Sequence, residues 1–418
     1  MADACGVDFG TSNSTVGWSR PGQSALLALE DGKPTLPSAI FFNAEEDTVH
    51  YGRAALAGYL AGTEGRLMRS MKSLLGSSLM EGQTEVQGNA VAFKSLLAQF
   101  IGELKRRAEF AAGRTFSRAV LGRPVFFVDG NPAADRLAQD TLAEVAQMVG
   151  FCEIDFQFEP IAAAFDYESQ IAREELVLIA DIGGGTSDFS LVRLSPQRAR
   201  KIDRRSDILA TGGVHLGGTD FDKYLSLACA MPLLGYGSAL NNGGAIPSSI
   251  YFNLATWHTI NLAYTQKTWV QLQDIYRDAM ARDQLDRLHA LIDQRAGHWL
   301  AGQMELGKIA LSDADLTRLN LDRMSPRQTL DIQRTEFEAA IGGMVGSIEN
   351  TVASLLRDAG ITAAAVDTVF FTGGSSGVRL LRERIAAAVP DARAIEGDRF
   401  GSIGAGLALD AQRKFGSS

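Results

Sequence analysis

A motif written twice limits the folds open to this chain. Asp8-Phe9-Gly10-Thr11-Ser12-Asn13 stands near the start and Asp181-Ile182-Gly183-Gly184-Gly185-Thr186-Ser187-Asp188 near the middle. Each copy sets a carboxylate, then glycine, then hydroxyls, after an apolar strand-like run: Ala4-Cys5-Gly6-Val7 in one case, Leu176-Val177-Leu178-Ile179-Ala180 in the other. Each Asp is therefore expected where a buried strand surfaces into a tight turn. Two such turns from related halves predict a cleft between two lobes.

The chemistry of the turns favours phosphate. Glycines let the backbone bring its N–H groups close to an anion, and hydroxyls add donors. The carboxylates cannot face a phosphate directly, so Asp8 and Asp181 call for a cation. Mg2+ suits them, because it keeps several waters and is commonly held by one or two carboxylates plus the phosphates of its substrate.

Composition narrows the alternatives. A chain of 418 residues is long for one core and suits two or more compact units. Net charge is −9, with no run of Lys and Arg that would form a nucleic-acid footprint. Cys5, Cys152 and Cys229 are far apart and odd in number, which predicts neither a disulfide framework nor a zinc site and favours a reducing compartment. No signal-peptide pattern and no apolar run of about 18 residues is evident, so a cytoplasmic location without membrane contact is the expectation.

Along the chain, a Gly-Pro-rich connection follows the first turn, and a long helix is predicted from 91 to 112. The strand Ala119-Val120-Leu121 leads into Gly122-Arg123-Pro124, and Asn131-Pro132 reads as an N-cap with proline at the first helical position. Leu137, Leu142, Val145, Met148 and Val149 are expected on one buried face of that helix, closed by Gly150. Residues 223–310 read as an inserted helical subdomain, in which the aromatic stretch 252–258 is expected to pack rather than hold a cofactor. The strand 366–371, the turn Thr372-Gly373-Gly374-Ser375 and the helix 378–389 make a third ligand-approach site in an α/β arrangement. A small-residue helix begins near Gly401. The segment Gly302 to Ile309 matches a P-loop through Lys308, but Ile309 stands where the metal-binding hydroxyl belongs and the context is helical, so it is read as a decoy.

Taken together these motifs resemble the ATPase domain of the seventy-kilodalton heat-shock chaperones of DnaK type, over nearly the whole chain. Asp8 to Ser14 is similar to the family's first phosphate loop, and Asp181 to Phe189 to its second. Met71-Lys72-Ser73-Leu74-Leu75-Gly76 resembles the segment bearing its catalytic lysine, Glu159-Pro160-Ile161-Ala162-Ala163-Ala164 its Glu-Pro segment, and His215 to Asp222 the opening of its helical subdomain. Within the family, the short chain and the stretch 252–258 look most like the YegD-type members.

The resemblance implies an α/β, two-lobed actin-like ATPase (ribonuclease H-like) fold. Lobe I would span 1–171, with 36–95 as a smaller subdomain and the helix 402–418 returning to it; lobe II would span 172–401, with 223–310 inserted. It implies slow, Mg2+-dependent hydrolysis of ATP to ADP. Asp8 and Asp181 would hold the metal, Lys72, Glu159 and Asp188 would act in catalysis, and Gly10, Thr11, Ser12, Asn13, Gly183, Gly184, Gly185, Thr186, Gly217 and Gly218 would line the phosphates. Glu305, Lys308, Ser312, Gly373, Gly374, Ser375 and Asp398 would approach the adenosine. The arginine that the family sets against adenine aligns with Gly377, with Arg379 close by. Pro124 and Arg136 resemble its proline switch and arginine partner. No counterpart of the family's linker, peptide-binding β-sandwich or helical lid is evident, so what carries over is an ATPase core acting as a nucleotide-controlled conformational switch, with an adenine nucleotide and an unknown protein client or co-chaperone as partners. A small-molecule kinase on the same fold, an actin-like filament subunit and a regulatory pseudo-ATPase are the competing readings.

Overall fold

The computed structural model describes residues 3–128, 130–201, 203–399 and 401–416. Ser417 and Ser418, at the end of the predicted last helix, and the side chain of His258 lie outside the described residues. Two five-stranded sheets follow one plan. In the first, β1 (Ala4–Phe9), β2 (Asn13–Gly17) and β3 (Thr35–Pro37) pair antiparallel in succession, while β4 (Arg118–Arg123) lies parallel to β1 and β5 (Glu153–Phe158) parallel to β4. In the second, β6 (Glu175–Ile182), β7 (Ser187–Leu194) and β8 (Ile208–Val214) form the antiparallel run, with β9 (Thr368–Thr372) parallel to β6 and β10 (Arg393–Glu396) parallel to β9. The strand orders are β3-β2-β1-β4-β5 and β8-β7-β6-β9-β10. Order and direction coincide, so the doubled motif is one corner of a doubled topology.

Helices follow from spacing and caps. α1 (Phe93–Ala112) buries Leu96, Leu97, Phe100, Ile101, Leu104 and Ala108 and ends at Gly113 with φ 66°. α2 (Pro132–Met148) begins at Asn131, whose side chain accepts from the Ala134 N–H at 3.1 Å. Its buried face differs from expectation: Ala138, Thr141, Leu142, Val145 and Ala146 are buried, whereas Leu137 and Met148 are 50% and 55% exposed. Ala138 lies close to the tight turn at Gly76, where a larger side chain would not fit as well, so close approach helps set the stripe. α3 (Glu159–Glu168) starts directly after β5, and α4 (Gly218–Leu225) starts after a short connection from β8.

Residues from α4 to α5 (Gly297–Asp313) are mostly helical, with Ser249–Ala255, Gln266–Asp278 and Arg282–Asp293 between them. This layer stands above the second sheet. Above the first stands a three-stranded sheet of Ala39–Asn43, Thr48–Tyr51 and Gly65–Arg69 with the helix Gly52–Leu60. α6 (Arg334–Asp358) is, among the described residues, the one helix long and apolar enough to cross a bilayer by length and composition, where no such run was expected. Here it buries Phe337, Ile341, Val345, Ile348, Val352, Leu355 and Leu356 against lobe II, including α7 (Arg379–Ala388).

α8 (Ser402–Phe415) crosses α3 and packs on β1, β2 and β4. Its small residues are required. A Cβ on Gly406 would strike the Ala162 carbonyl, one on Gly404 the Thr15 hydroxyl, and one on Gly6 the backbone of Leu407 and Ala408. Ile161 to Phe165 of α3 and Leu407 and Ala411 of α8 share a buried cluster with Val177, Ile179 and Val192 of the second sheet. The two helices thus join the lobes at their base, below the cleft.

Candidate functional site

Between the lobes lies a cleft of about 1110 Å³, walled by both hairpin turns, the segment around Lys72, the start of α3, α5 and the turn after β9. The first turn is braced by Ser38, whose Oγ donates to the Gly10 carbonyl at 2.7 Å and whose N–H donates to the Ser12 carbonyl at 2.9 Å. The second is braced by the start of α4. The Gly218 N–H donates to the Gly183 carbonyl at 3.0 Å, and the N–H and hydroxyl of Thr219 both donate to the Gly184 carbonyl at 2.7 Å. The carbonyls of Gly10, Ser12, Gly183 and Gly184 are thus satisfied within the protein, which leaves the turns rich in N–H and hydroxyl donors for an incoming group. The turns also meet: a Cβ on Gly184 would collide with the hydroxyl of Ser12.

Beneath the turns three carboxylates, Asp8, Glu159 and Asp181, surround the ammonium of Lys72, and a fourth, Asp188, adjoins Asp181. Lys72 Nζ donates to Glu159 Oε1 at 2.6 Å in a largely buried ion pair. Asp188 stands opposite Asp181 across the β6–β7 pair, and its Oδ2 accepts from the Thr186 hydroxyl at 2.7 Å. Burial pushes the Asp181 carboxyl up to about 8, reinforced by the charges of Asp188, Glu159 and Asp8. Burial also raises Asp8, with Glu159 adding to it and Lys72 opposing. Burial disfavours the charge on Lys72, yet the combined pull of Glu159, Asp8 and Asp181 raises its pKa. The cluster therefore carries more negative charge than Lys72 offsets, a donor set suited to a divalent cation. Among the described residues no three or more His, Cys, Asp or Glu converge to cage a metal directly. Asp8 and Asp181 bring two carboxylates into this negatively charged cluster, which fits the one or two carboxylates that commonly hold Mg2+.

At the other end, Gly373 has φ 84° and no room for a Cβ beside the Asp181 carboxylate and the Ile182 carbonyl. The Ser375 N–H donates to the Ile182 carbonyl at 2.9 Å, which folds the turn against β6. Glu305, Lys308 and Ser312 all line the cleft from α5. Lys308 is nearly buried and tied down, its Nζ donating to Asp222 at 2.9 Å and to the Gly218 carbonyl at 3.1 Å. Burial pushes Asp222 up to about 7 against the pull of Lys308. The P-loop look-alike lies wholly inside α5, as its helical context predicts.

The structure gathers Asp8, Gly10, Thr11, Ser12, Asn13, Lys72, Glu159, Asp181, Gly183, Gly184, Gly185, Thr186, Asp188, Gly218, Gly373, Gly374 and Ser375 on the same wall system. Gly217 lies behind the wall, packed on the Gly184–Gly185 peptide. Asp398 is exposed and off the wall, and its neighbour Arg399 is on it. Arg136 is exposed, whereas Arg123 is buried, pairs with Asp135 at 2.9 Å and donates to the Pro124 carbonyl at 3.0 Å. The arginine next to Pro124 in space is thus its neighbour in the chain. Of the stretch 252–258, Leu254 and Ala255 are core and Phe252 is 38% exposed, while Trp257 reaches the cleft and lies under Arg69, whose guanidinium is 4.4 Å from the ring centre.

Sequence reasoning missed Arg399, Arg69 and Trp257, and a further contact across the cleft mouth. Tyr59 on the helix Gly52–Leu60 donates to Asn261 Oδ1 at 3.0 Å and lies 3.2 Å from His298 Nε2. That nitrogen is also 3.2 Å from the Trp257 carbonyl, which assigns its proton to Nε2. These residues sit far apart in the chain within ordinary helices, so no local signal marks them.

Two lobes of one topology, closing on a cleft walled by paired Asp-Gly turns, define the actin-like ATPase class. The family model described as Hsp70 protein matches residues 78–230 and 275–411. The chain belongs to the Hsp70 family. It is 27% identical over 429 residues to the chaperone protein HscA of Citrobacter koseri and 28% identical over 432 residues to the HscA homolog of Shewanella putrefaciens. Each alignment covers 97% of this chain and 58% of the relative, so the chain spans less than two thirds of the length of the relatives it matches.

Proposed function

We propose that the chain binds ATP and ADP with Mg2+ in the interlobe cleft, hydrolyses ATP slowly, and changes the angle between its lobes with nucleotide state. The observation that carries this reading is the meeting of the two turns over one carboxylate cluster, with Gly184 seated on Ser12. On this reading the N–H groups and hydroxyls of Gly10 to Asn13 and the N–H groups of Gly184 to Thr186 cradle the phosphates, with Gly183 closing the second turn through the Thr186 carbonyl and Gly217 and Gly218 supporting it. Asp8 and Asp181 would hold Mg2+, which would supply charge neutralisation along the phosphate chain. Lys72, kept charged by Glu159, faces the charge that builds on the transferred phosphoryl group. Asp188, exposed to the cleft, and the free edge of Glu159 orient the attacking water. Glu305, Ser312 and Gly373 to Ser375 border the adenosine. Lys308 supports that border through Asp222 and Gly218 instead of reaching out itself, and Asp398 acts by placing its loop.

The lobes are proposed to divide at 171 and 172, where the first sheet's last helix gives way to β6. Relatives named as chaperones support a protein client or co-chaperone as a partner. Calorimetric titration with ATP and ADP, with and without Mg2+, followed by a turnover assay on the same sample, tests the reading. Mg2+-dependent binding of both nucleotides and slow phosphate release are expected. Absence of nucleotide binding overturns it, and turnover that rises on adding sugars would favour the kinase.

A further inference from the structure

A side chain at Gly377 would have to displace the far end of an arginine. A Cβ built there would lie 2.5 Å from Nη1 and 2.8 Å from Cζ of Arg399. The guanidinium therefore lies against the backbone of the turn that follows β9, in the space a residue at 377 would otherwise fill.

The other cations on the cleft wall are committed. Arg53 is held by Glu30 and Thr35, Lys72 by Glu159, Lys308 by Asp222 and Gly218, and Arg69 lies over Trp257. Arg399 lines the same cleft, is about one third exposed, and meets Glu396 only at 3.7 Å, long for an ion pair. Contacts locate it along the cleft. Gly377 is two residues from Ser375, Ser375 packs on Gly218, and Gly218 packs on Lys308 of α5. Arg399 thus edges the end of the cleft where α5 and the Gly373–Ser375 turn come together, away from the Lys72–Glu159 pair. Next to Lys308, Ile309 presents a 55% exposed apolar side chain to the same cleft.

We propose that Arg399 is the base-facing cation of this site: its guanidinium, laid over Gly377, stacks on the face of the purine, and Gly377 is glycine to make room for it. The inference rests on the nucleotide reading above and deepens it. A planar, weakly hydrated guanidinium stacks on aromatic rings as a compact ammonium does not. Arriving from the loop before α8, Arg399 also links occupancy by the base to the helix that joins the lobes. The exposed Arg379, which pairs with Glu383 at 2.8 Å on its own helix, takes no part.

The test is calorimetric titration of the full chain with Mg2+ and three ligands, ATP, ADP and inorganic tripolyphosphate, which keeps the phosphates and lacks the base. Arg399→Ala and Arg399→Lys are expected to weaken ATP and ADP about tenfold and leave tripolyphosphate unchanged. Gly377→Ala, which displaces the guanidinium without removing it, is expected to act in the same direction. Unchanged tripolyphosphate binding also reports that each variant is folded. Arg399→Ala binding ATP like the unmutated protein, or losing tripolyphosphate in equal measure, overturns the assignment while leaving the nucleotide reading standing. An unmutated protein that binds tripolyphosphate but gains nothing from the base overturns it as well, and one that binds neither ligand overturns both.

Discussion

Lys72 and Glu159 form an ion pair in a pocket already crowded with carboxylates, and such pairs are informative when one member is removed. Replacing Lys72 by Ala takes away the one positive group of the cluster at the moment charge builds, so turnover should fall by on the order of a hundredfold to a thousandfold while ATP binding survives. Single-turnover hydrolysis beside a binding titration separates the two effects. Asp181 has the opposite electrostatic problem. Its carboxyl is raised from 3.8 to about 8 in the folded protein, so between those values the folded state holds a proton that the unfolded state has released. Ligand-free stability from this group is complete below about pH 4 and is lost as pH rises to 8. Asp181→Asn should therefore melt higher than the unmutated protein at pH 8 without ligand, by about 2 °C or more, and the advantage should vanish near pH 4. At this scale the sequence was legible where chemistry was local, as in Asp8, Asp181 and the glycines around them. It was not legible for Arg399 or Trp257, because a residue that reaches a site through space, from a loop or helix whose own pattern is ordinary, leaves no periodic or spacing signal.

Helix α8 and helix α6 both carry glycines inside a helix, and the two sets should respond to substitution with opposite sign. Gly406 lies against the Ala162 carbonyl with no space for a methyl group, so Gly406→Ala must push α8 off α3 and should cost about 1–3 kcal/mol. Gly343 of α6 faces open space, and Gly343→Ala should stabilise by about 0.5–1 kcal/mol, the ordinary helix preference. Urea midpoints for the two variants check both signs. The same contrast explains what could be read in advance. The strand and turn that open each hairpin were visible in an apolar run and glycine placement, and the start of α2 in Asn131-Pro132. The buried face of α2 was not, since Ala138 and Ala146 lie inside because of what they touch, and hydrophobicity alone favours Leu137 and Met148.

Across the whole molecule, the lobes touch at the base through α3 and α8, at the paired turns, and at the mouth through Tyr59, Asn261 and His298. Burial lowers His298 to about 4, with the nearby charge of Arg69 adding to the effect against the hydrogen bond to the Trp257 carbonyl. An opened or unfolded form takes up a proton near the ordinary value of about 6.5. The closed arrangement is therefore fully favoured above about pH 6.5 and loses stability as pH falls toward 4. Release of bound nucleotide should quicken several-fold between pH 7 and pH 5, and His298→Gln should flatten that profile in a stopped-flow measurement with a fluorescent ATP analogue. Tyr59→Phe, which deletes the donor to Asn261, should quicken release at every pH. The doubled strand order was foreshadowed by the doubled motif, yet nothing in either half named its partner across the gap. The contact between Ser12 and Gly184 has one more consequence. Glycine packed on a hydroxyl makes that inner point a pivot with no slack, so motion of the lobes grows with distance from it, like the blades of shears. A protein gripping the outer edge near Tyr59 would work with the longest lever once the hydrogen bonds there are broken, and the phosphate-binding loops would move least.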